Sequence, residues 1–352
     1  MKNFIFIFAV ILFSFQVNAE VDDWTAYGKD SGGGHYSKAS EITPENVHNL
    51  ERAWVHRSGD FQDGANTRGT ISNEIQTSFQ ATPLLVDETL YYCTPFNRVF
   101  ALNPETGQEK WIFDPEVDPA GRPLKTCRGL SSWKDLNKNQ SDVCYHRIVG
   151  VTMDVELFSI DGKTGKLCDD FGEKGIVNLR KGLGNHPDTY YWSSSPPAII
   201  GDKLIVGGSV IDNLSINIPG GVVRAYDIRT GELIWYWDPI PPGKEAVLDD
   251  DGNHLYQRGT ANVWSIISTD PDLNLIYLPT GNASPDYYGG HRKGLDYYNS
   301  SVVALNASTG EVVWHFKTVY HDVWDYDVPS QPTFYNIEKD GKIIKALAQT
   351  TK

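Results

Sequence analysis

One pattern occurs four times in the 352-residue chain, and it restricts the fold more than any other feature. The copies are VFALNPETGQEKWIF, LFSIDGKTGKLCDDF, VRAYDIRTGELIWYW and VVALNASTGEVVWHF. In each, an alternating apolar run ends at Asn103, Asp161, Asp227 or Asn306, and a Thr-Gly pair closes a turn four residues on. A second apolar run then leads to Trp111, Trp235 or Trp314, whereas the second copy has Asp169 at that position. Each copy therefore reads as a strand, a turn and a strand. Gly107, Gly165, Gly231 and Gly310 suit a turn position with positive φ, and the indoles suit packing of one hairpin on its neighbour.

The repeat glycines are 58, 66 and 79 residues apart, enough for a four-stranded sheet plus an insertion rather than for one hairpin. Such a unit buries both faces only against its neighbours, so the spacing predicts an all-β chain of β-propeller blades. An open stack or a pair of β-sandwiches is the alternative. Further strand pairs are expected in ATPLLVDETLYYCTP, SPPAIIGDKLIVGGSV and SIISTDPDLNLIYLPTGN. Only TPENVHNLERAW reads as helical, with Thr43 placed to cap and Pro44 at the first helical position. The 32 Gly, 19 Pro, 10 Trp and 18 Tyr agree with short aromatic strands joined by tight turns.

The net charge of −14, from 31 Lys and Arg against 45 Asp and Glu, comes with no basic run to follow a phosphate backbone. Nucleic acid is excluded as a partner on that ground. Residues 1–19 place Lys2 before an apolar run from Phe4 to Phe15, then small residues at Val17 and Ala19. They read as a signal peptide cleaved after Ala19, with a periplasmic destination and one domain from residue 20 to 352. The alternative, a membrane anchor, needs a longer run of ~20 apolar residues. Cys93, Cys127, Cys144 and Cys168 have neither metal-ligand nor haem-attachment spacing. A Cys127–Cys144 disulfide closing the polar insertion between them is expected, with Cys93 and Cys168 as buried thiols.

Loops from successive blades converge at one end of a propeller, so residues far apart in sequence can share a site there. The stretches TCRGLSSW, GGSVIDN, TANVWSIIS with LPTGNASPD, and HDVWDYD offer Arg128, Asp212, Asn213, Trp264, Asn282 and Asp325. They supply a cation, oxygen ligands, a flat aromatic and a base. Asp212, Asn213 and Asn282 follow glycines at strand ends, where short oxygen-bearing side chains suit a hard cation such as Ca²⁺. Taken singly, each is equally a turn former.

The stretches RGLSSW, GGSVIDN, NVWSIISTDPDLNLIYLPTGN and YHDVWDYDVPSQPT, in this order with the repeat between them, resemble the pyrroloquinoline-quinone (PQQ)-dependent dehydrogenases. The resemblance runs from about Trp24 to the last residue, and GGSVIDN and WDYDVP bring it nearest the glucose and quinate dehydrogenase branch. It implies an eight-bladed propeller with PQQ in a central funnel beside Ca²⁺. Asp212 and Asn282 then match metal ligands, and Asn213 a position used for metal in the sugar branch. Arg128 matches a guanidinium beside the quinone oxygens, Trp264 a ring parallel to the cofactor, and Gln80, Ser194 and Ser209 polar contacts to its edge. Asp325 matches the general base, Asp327 lies on the same side and approaches the metal, and Asp322 and Trp324 read as structural. An acid at the Asp327 offset goes with lanthanide use in some members, but the sugar branch also carries it, so both metals stay open.

The implied reaction oxidises a sugar, polyol or cyclic hydroxy acid by hydride transfer to PQQ. Electrons then pass to ubiquinone or a cytochrome, with peripheral membrane contact a further implication. The rival is a non-catalytic propeller scaffold of the cell envelope, which has no use for the five residues Arg128, Asp212, Trp264, Asn282 and Asp325 together. The adjacent cysteine pair of the alcohol-oxidising branch is absent, since Cys127 alone precedes Arg128. Lys352 matches a basic residue that contacts the quinone, yet further blades should follow it. The chain is therefore expected to be about the first half of the ring, with uncovered strand edges and little activity by itself.

Overall fold

The computed structural model describes residues 23–61, 77–119, 122, 124–245, 247–248 and 254–352; the expected signal peptide lies outside them. The four repeats become four antiparallel four-stranded sheets. The first holds β1 (Leu84–Val86), β2 (Thr89–Cys93), β3 (Val99–Leu102) and β4 (Glu109–Phe113). The second holds β5 (Ser131–Lys134), β6 (His146–Val151), β7 (Glu156–Asp161) and β8 (Ile176–Asn178). A small pair, β9 (Tyr191–Trp192) and β12 (Ser209–Val210), flanks the third sheet, which is β10 (Ala198–Ile200), β11 (Lys203–Val206), β13 (Val223–Asp227) and β14 (Leu233–Trp237). The hairpin β15 (Val247–Leu248) and β16 (His254–Leu255) leads to the fourth sheet, β17 (Ser268–Asp270), β18 (Leu275–Pro279), β19 (Ser301–Asn306) and β20 (Val312–Lys317). A long hairpin, β21 (Thr333–Lys339) and β22 (Lys342–Ala348), follows.

The repeated motif is the turn between the third and fourth strands of each sheet. Its Asx side chain accepts two backbone N–H groups, from Glu105 and Thr106 at Asn103, and from Lys163 and Thr164 at Asp161. Asp227 and Asn306 repeat the arrangement. The Thr hydroxyl then accepts the N–H two residues on, as Thr106 does from Gln108 and Thr230 from Glu232. The turn glycines have φ of 71°, 69°, 73° and 75°, a region that penalises any Cβ.

The same glycines are sockets for tryptophan. A Cβ on Gly107 would lie 2.6 Å from the Trp54 ring, on Gly165 2.5 Å from Trp111, and on Gly310 2.6 Å from Trp235. Each indole N–H is also satisfied at its socket, by Pro104 O at 3.0 Å, Gly162 O at 3.1 Å and Ala307 O at 3.0 Å. Where the second copy lacks Trp, its fourth strand is broken: Ile160 meets only Leu167 before β8 begins, and Gly231 receives Val177 instead. First strands lie side by side, β1 beside β5, β5 beside β10 and β10 beside β17, so the sheets fan out as propeller blades.

Period-two alternation divides the core between consecutive blades. Leu204 and Val206 of β11 face the second sheet, while Ile205 between them faces the fourth. Val303 and Leu305 of β19 pack toward the third sheet, and Val302 and Ala304 toward Phe334 and Leu347 of the last hairpin. The N-terminal segment straps across these sheets: Trp24 pairs with Leu85, Ser31 O accepts from Thr269 N, and Gly32 O from Phe334 N.

Two local expectations are corrected. The disulfides are Cys93–Cys127 and Cys144–Cys168, each with Cα atoms 6.0 Å apart, not Cys127–Cys144 with two free thiols. Cys93 ends β2 and Cys127 precedes β5, so the first bond crosses between blades instead of closing the insertion. The helix expected over TPENVHNLERAW shrinks to one 3₁₀ turn, Val47–Asn49, with no buried residue. Asn46 forms the turn, its Oδ1 accepting from Thr43 N at 2.7 Å, and with no apolar face to bury, nothing extends the helix.

Candidate active site

Three of the sequence-derived candidates sit at equivalent points, three or four residues before a first strand: Arg128 before β5, Ser194 before β10 and Trp264 before β17. The blade repeat therefore places them at one end of the fan. Backbone bonds join the loops: Thr82 N donates to Arg128 O at 3.0 Å, and Arg128 N to Ser194 O at 2.7 Å. The Arg128 guanidinium donates to Ser194 Oγ and lies 5.2 Å from the centre of the Trp264 ring. Ser195 Oγ fixes the Trp264 backbone by donating to its carbonyl at 2.6 Å. Among the described residues the Arg128 side chain bonds to the Ser194 hydroxyl and to no carboxylate, and burial holds its guanidinium below the usual value. A guanidinium with free donors beside a flat ring can grip a planar ligand bearing adjacent oxygens.

Trp264 connects this half of the site to a cluster of acids. Its indole N–H donates to Asp327 Oδ2 at 2.9 Å. Asn262 Nδ2 donates to Asp212 Oδ2 at 3.1 Å. A Cβ on Gly281 would lie 3.1 Å from both Asn262 Oδ1 and Asp327 Oδ1 and 3.2 Å from Trp264 Cδ1, so the Asn262–Trp264 loop and the Asp327 loop both converge on that glycine. Asp286 completes the cluster, and burial together with the charges of Asp212, Asp325 and Asp327 pushes its carboxyl far up. Burial first, then Asp325, raises Asp327 to about 7, and Asp212 is raised by the same two causes.

The orphaned atoms indicate what the cluster is built to hold. Asn262 Oδ1, both oxygens of Asp286 and Asp327 Oδ1 are buried without a hydrogen-bond donor. Buried acceptors are rarely left unpaired, and four oxygens without donors, three of them from two carboxylates, fit a hard cation. The donor set present therefore suits the metal that the sequence resemblance implied.

Asp325 borders this cluster on a loop organised by Asp322. Asp322 is fully buried, and its carboxylate accepts from Trp324 N at 2.9 Å, Tyr326 N at 2.7 Å and Ser300 Oγ at 2.7 Å. Between the two fixed amides Asp325 takes a φ of 61°. Its side chain keeps 28% exposure, open to solvent where Asp327 is not. Burial and Asp322 raise its carboxyl, while Lys352, 3.9 Å away and donating to Asp325 O at 2.7 Å, draws it down. A carboxylate with one open side next to a cation site can accept a proton from a bound hydroxyl.

A family profile described as the PQQ glucose/ethanol/alcohol dehydrogenase β-propeller domain matches residues 24–352. The chain belongs to that family. It is 38% identical over 336 residues to the quinoprotein glucose dehydrogenase of Escherichia coli, covering 94% of this chain and 41% of that one. It is 35% identical over 348 residues to the quinate/shikimate dehydrogenase (quinone) of Acinetobacter baylyi, covering 94% and 42%. The crystal structure of quinohemoprotein alcohol dehydrogenase from Comamonas testosteroni superposes with a TM-score of 0.70 at 23% identity, over 94% of this chain and 46% of that one. The fold is thus the propeller of quinoprotein dehydrogenases, and the chain spans about two-fifths of the length of the curated relatives it matches.

Within this quinoprotein frame the candidates divide. Arg128, Ser194, Trp264, Asp212, Asp325 and Lys352 are joined by the contacts above. Asn282 is fully buried beside them, but its Oδ1 accepts from Ala283 N at 3.0 Å and from Asn299 Nδ2 at 2.5 Å. Asn213 is exposed, Gln80 is exposed and donates to Ser78 Oγ at 2.9 Å, and Ser209 is buried in the β9–β12 pair. Trp324, read from the sequence as structural, is 70% exposed among the described residues, and Asp322 holds its backbone N–H. Sequence reasoning missed Asn262 and Asp286. Both lie in stretches already singled out: Asn262 two residues before Trp264, and Asp286 at the end of LPTGNASPD, where after Ser-Pro it carries only a turn signal.

Proposed function

We propose that this chain forms the cofactor-holding part of a PQQ-dependent dehydrogenase that oxidises a hydroxyl group of a sugar, polyol or cyclic hydroxy acid. One observation carries the reading: the Trp264–Asp327 hydrogen bond joins the Arg128–aromatic platform to a buried set of donorless oxygens, with the half-open Asp325 alongside. When bound, the quinone and a cation such as Ca²⁺ supply an electron acceptor for the substrate carbon and a charge that polarises that acceptor.

The chain's own groups do the rest. Arg128 offers its fork to adjacent oxygens, with Ser194, Ser209 and Gln80 assigned to the polar edge of the cofactor and Trp264 to its face. Asp212, Asp286, Asp327 and Asn262 turn oxygens toward the cation, with Asn213 and Asn282 as reserve ligands from neighbouring loops. A lanthanide is the alternative occupant of so acidic a site. Asp325 accepts the substrate hydroxyl proton at its carboxylate, and Lys352 helps keep it ionised for that purpose. An envelope scaffold has no use for four mutually repelling buried or half-buried acids at one end of the propeller. We further assign a periplasmic location, after cleavage of residues 1–19, and ubiquinone or a cytochrome as the electron acceptor.

The test is reconstitution of the gene product with PQQ and Ca²⁺, followed by a screen of alcohols, aldoses and quinate with a dye acceptor. Asn tolerates positive φ, so Asp325→Asn keeps the loop conformation. That variant is expected to bind cofactor while turnover falls about 10²–10⁴-fold. Unchanged turnover would remove Asp325 as the base.

A further inference from the structure

Arg292 lies in the insertion between β18 and β19, on none of the sequence-derived motifs, yet it is among the most deeply buried cations in the structure, with 1% exposure. Two other arginines are equally buried, and Arg147 has a carboxylate partner, Asp170, at 2.7 Å. Arg292 has no such partner among the described residues. It gives its donors to backbone carbonyls of two separate loops.

On one side Nη2 donates to Asp286 O at 2.7 Å and to Pro285 O at 3.0 Å, and Nε reaches Pro285 O at 3.3 Å. On the other side Nη1 donates to Asp322 O. The first loop carries Asp286, with its donorless oxygens; the second is the turn that holds Asp325 and Asp327. Asn282 Nδ2 bridges the same two carbonyls, Asp286 O and Asp322 O, at 3.4 Å each. A rigid fork suits this task because it presents several N–H groups in fixed directions, whereas an ammonium is a point charge.

We infer that Arg292 is a positioning residue that locks the Asp286 loop to the Asp322–Asp327 loop and so sets the spacing of the cation-binding oxygens. The inference rests on the cation reading proposed above. Acids that repel one another relax apart unless their backbones are fixed, and Arg292 fixes both without neutralising either carboxylate by a direct pair. Its positive charge also lies near Asp286, Asp296 and Asp322.

The test uses the protein as encoded, with calcium alone as the probe, titrated by calorimetry into the wild type, Arg292→Lys, Arg292→Gln and the control Arg147→Lys. Removing groups that orient metal ligands costs about 10–100-fold in affinity, and that loss is expected for both Arg292 variants. Arg147→Lys should lower thermal stability but leave calcium affinity unchanged. Hydrogen exchange should also quicken together at the Ser284, Trp324 and Tyr326 amides in the Arg292 variants, and in Arg147→Lys at none of them. Wild-type calcium affinity in both Arg292 variants, or an equal loss in Arg147→Lys, would overturn the inference. If the wild type itself binds no calcium, the cation reading fails; exchange then decides the lock, and loosening of one loop or neither refutes it.

Discussion

Asp238, just after β14, offers a quantitative check on how burial acts in this protein. Its Oδ2 accepts from Gln257 N at 2.7 Å, but Oδ1 is buried with no donor, and burial raises the carboxyl from 3.8 to about 7. The folded state therefore holds a proton that the unfolded chain has already released between these two values. Stability must fall as pH rises from 3.8 through 7, by about 4 kcal/mol in full at 1.36 kcal/mol per unit. Roughly 2.5 kcal/mol of that lies between pH 5 and pH 8. Asp238→Asn removes the charge and leaves an acceptor for Gln257. Urea unfolding of wild type and variant at both pH values isolates the effect from the other raised acids, which are common to both proteins. The variant should gain about 2.5 kcal/mol more over wild type at pH 8 than at pH 5. A variant-to-wild-type difference equal at the two pH values would refute the claim that burial without a donor governs this carboxyl.

Gly165→Ala drives a Cβ into the Trp111 ring at a φ of 69° and should cost about 1–3 kcal/mol in urea unfolding. Gly201→Ala, at a φ of 57° but with nothing within 4 Å, should cost only about 1 kcal/mol, so equal losses would contradict the socket. Peptide mapping under non-reducing conditions should recover Cys93–Cys127 and Cys144–Cys168, and the Cys93→Ser/Cys127→Ser pair should lose about 2–4 kcal/mol of stability. Recovery of a Cys127–Cys144 peptide would contradict the described fold.

What the sequence made legible was local. Asx-to-backbone bonds, a Thr hydroxyl and a positive-φ glycine act within five residues, so the four turns could be read directly and with them the blades. Asp325 and Trp264 were legible through motif resemblance. Asn262 and Asp286 were not, because a donorless oxygen is defined by what surrounds it in space. The disulfides failed for a related reason: spacing favoured the nearer cysteines, whereas the fold brings the end of β2 beside the start of β5.

The indole plugs also impose a direction on the ring. Trp54, Trp111 and Trp235 bond to sockets 50, 51 and 72 residues later in the chain, so every plug is made before its socket. A polypeptide synthesised N-terminus first can thus capture each waiting tryptophan as the next sheet closes, adding blades in sequence with only neighbour-to-neighbour loops to close.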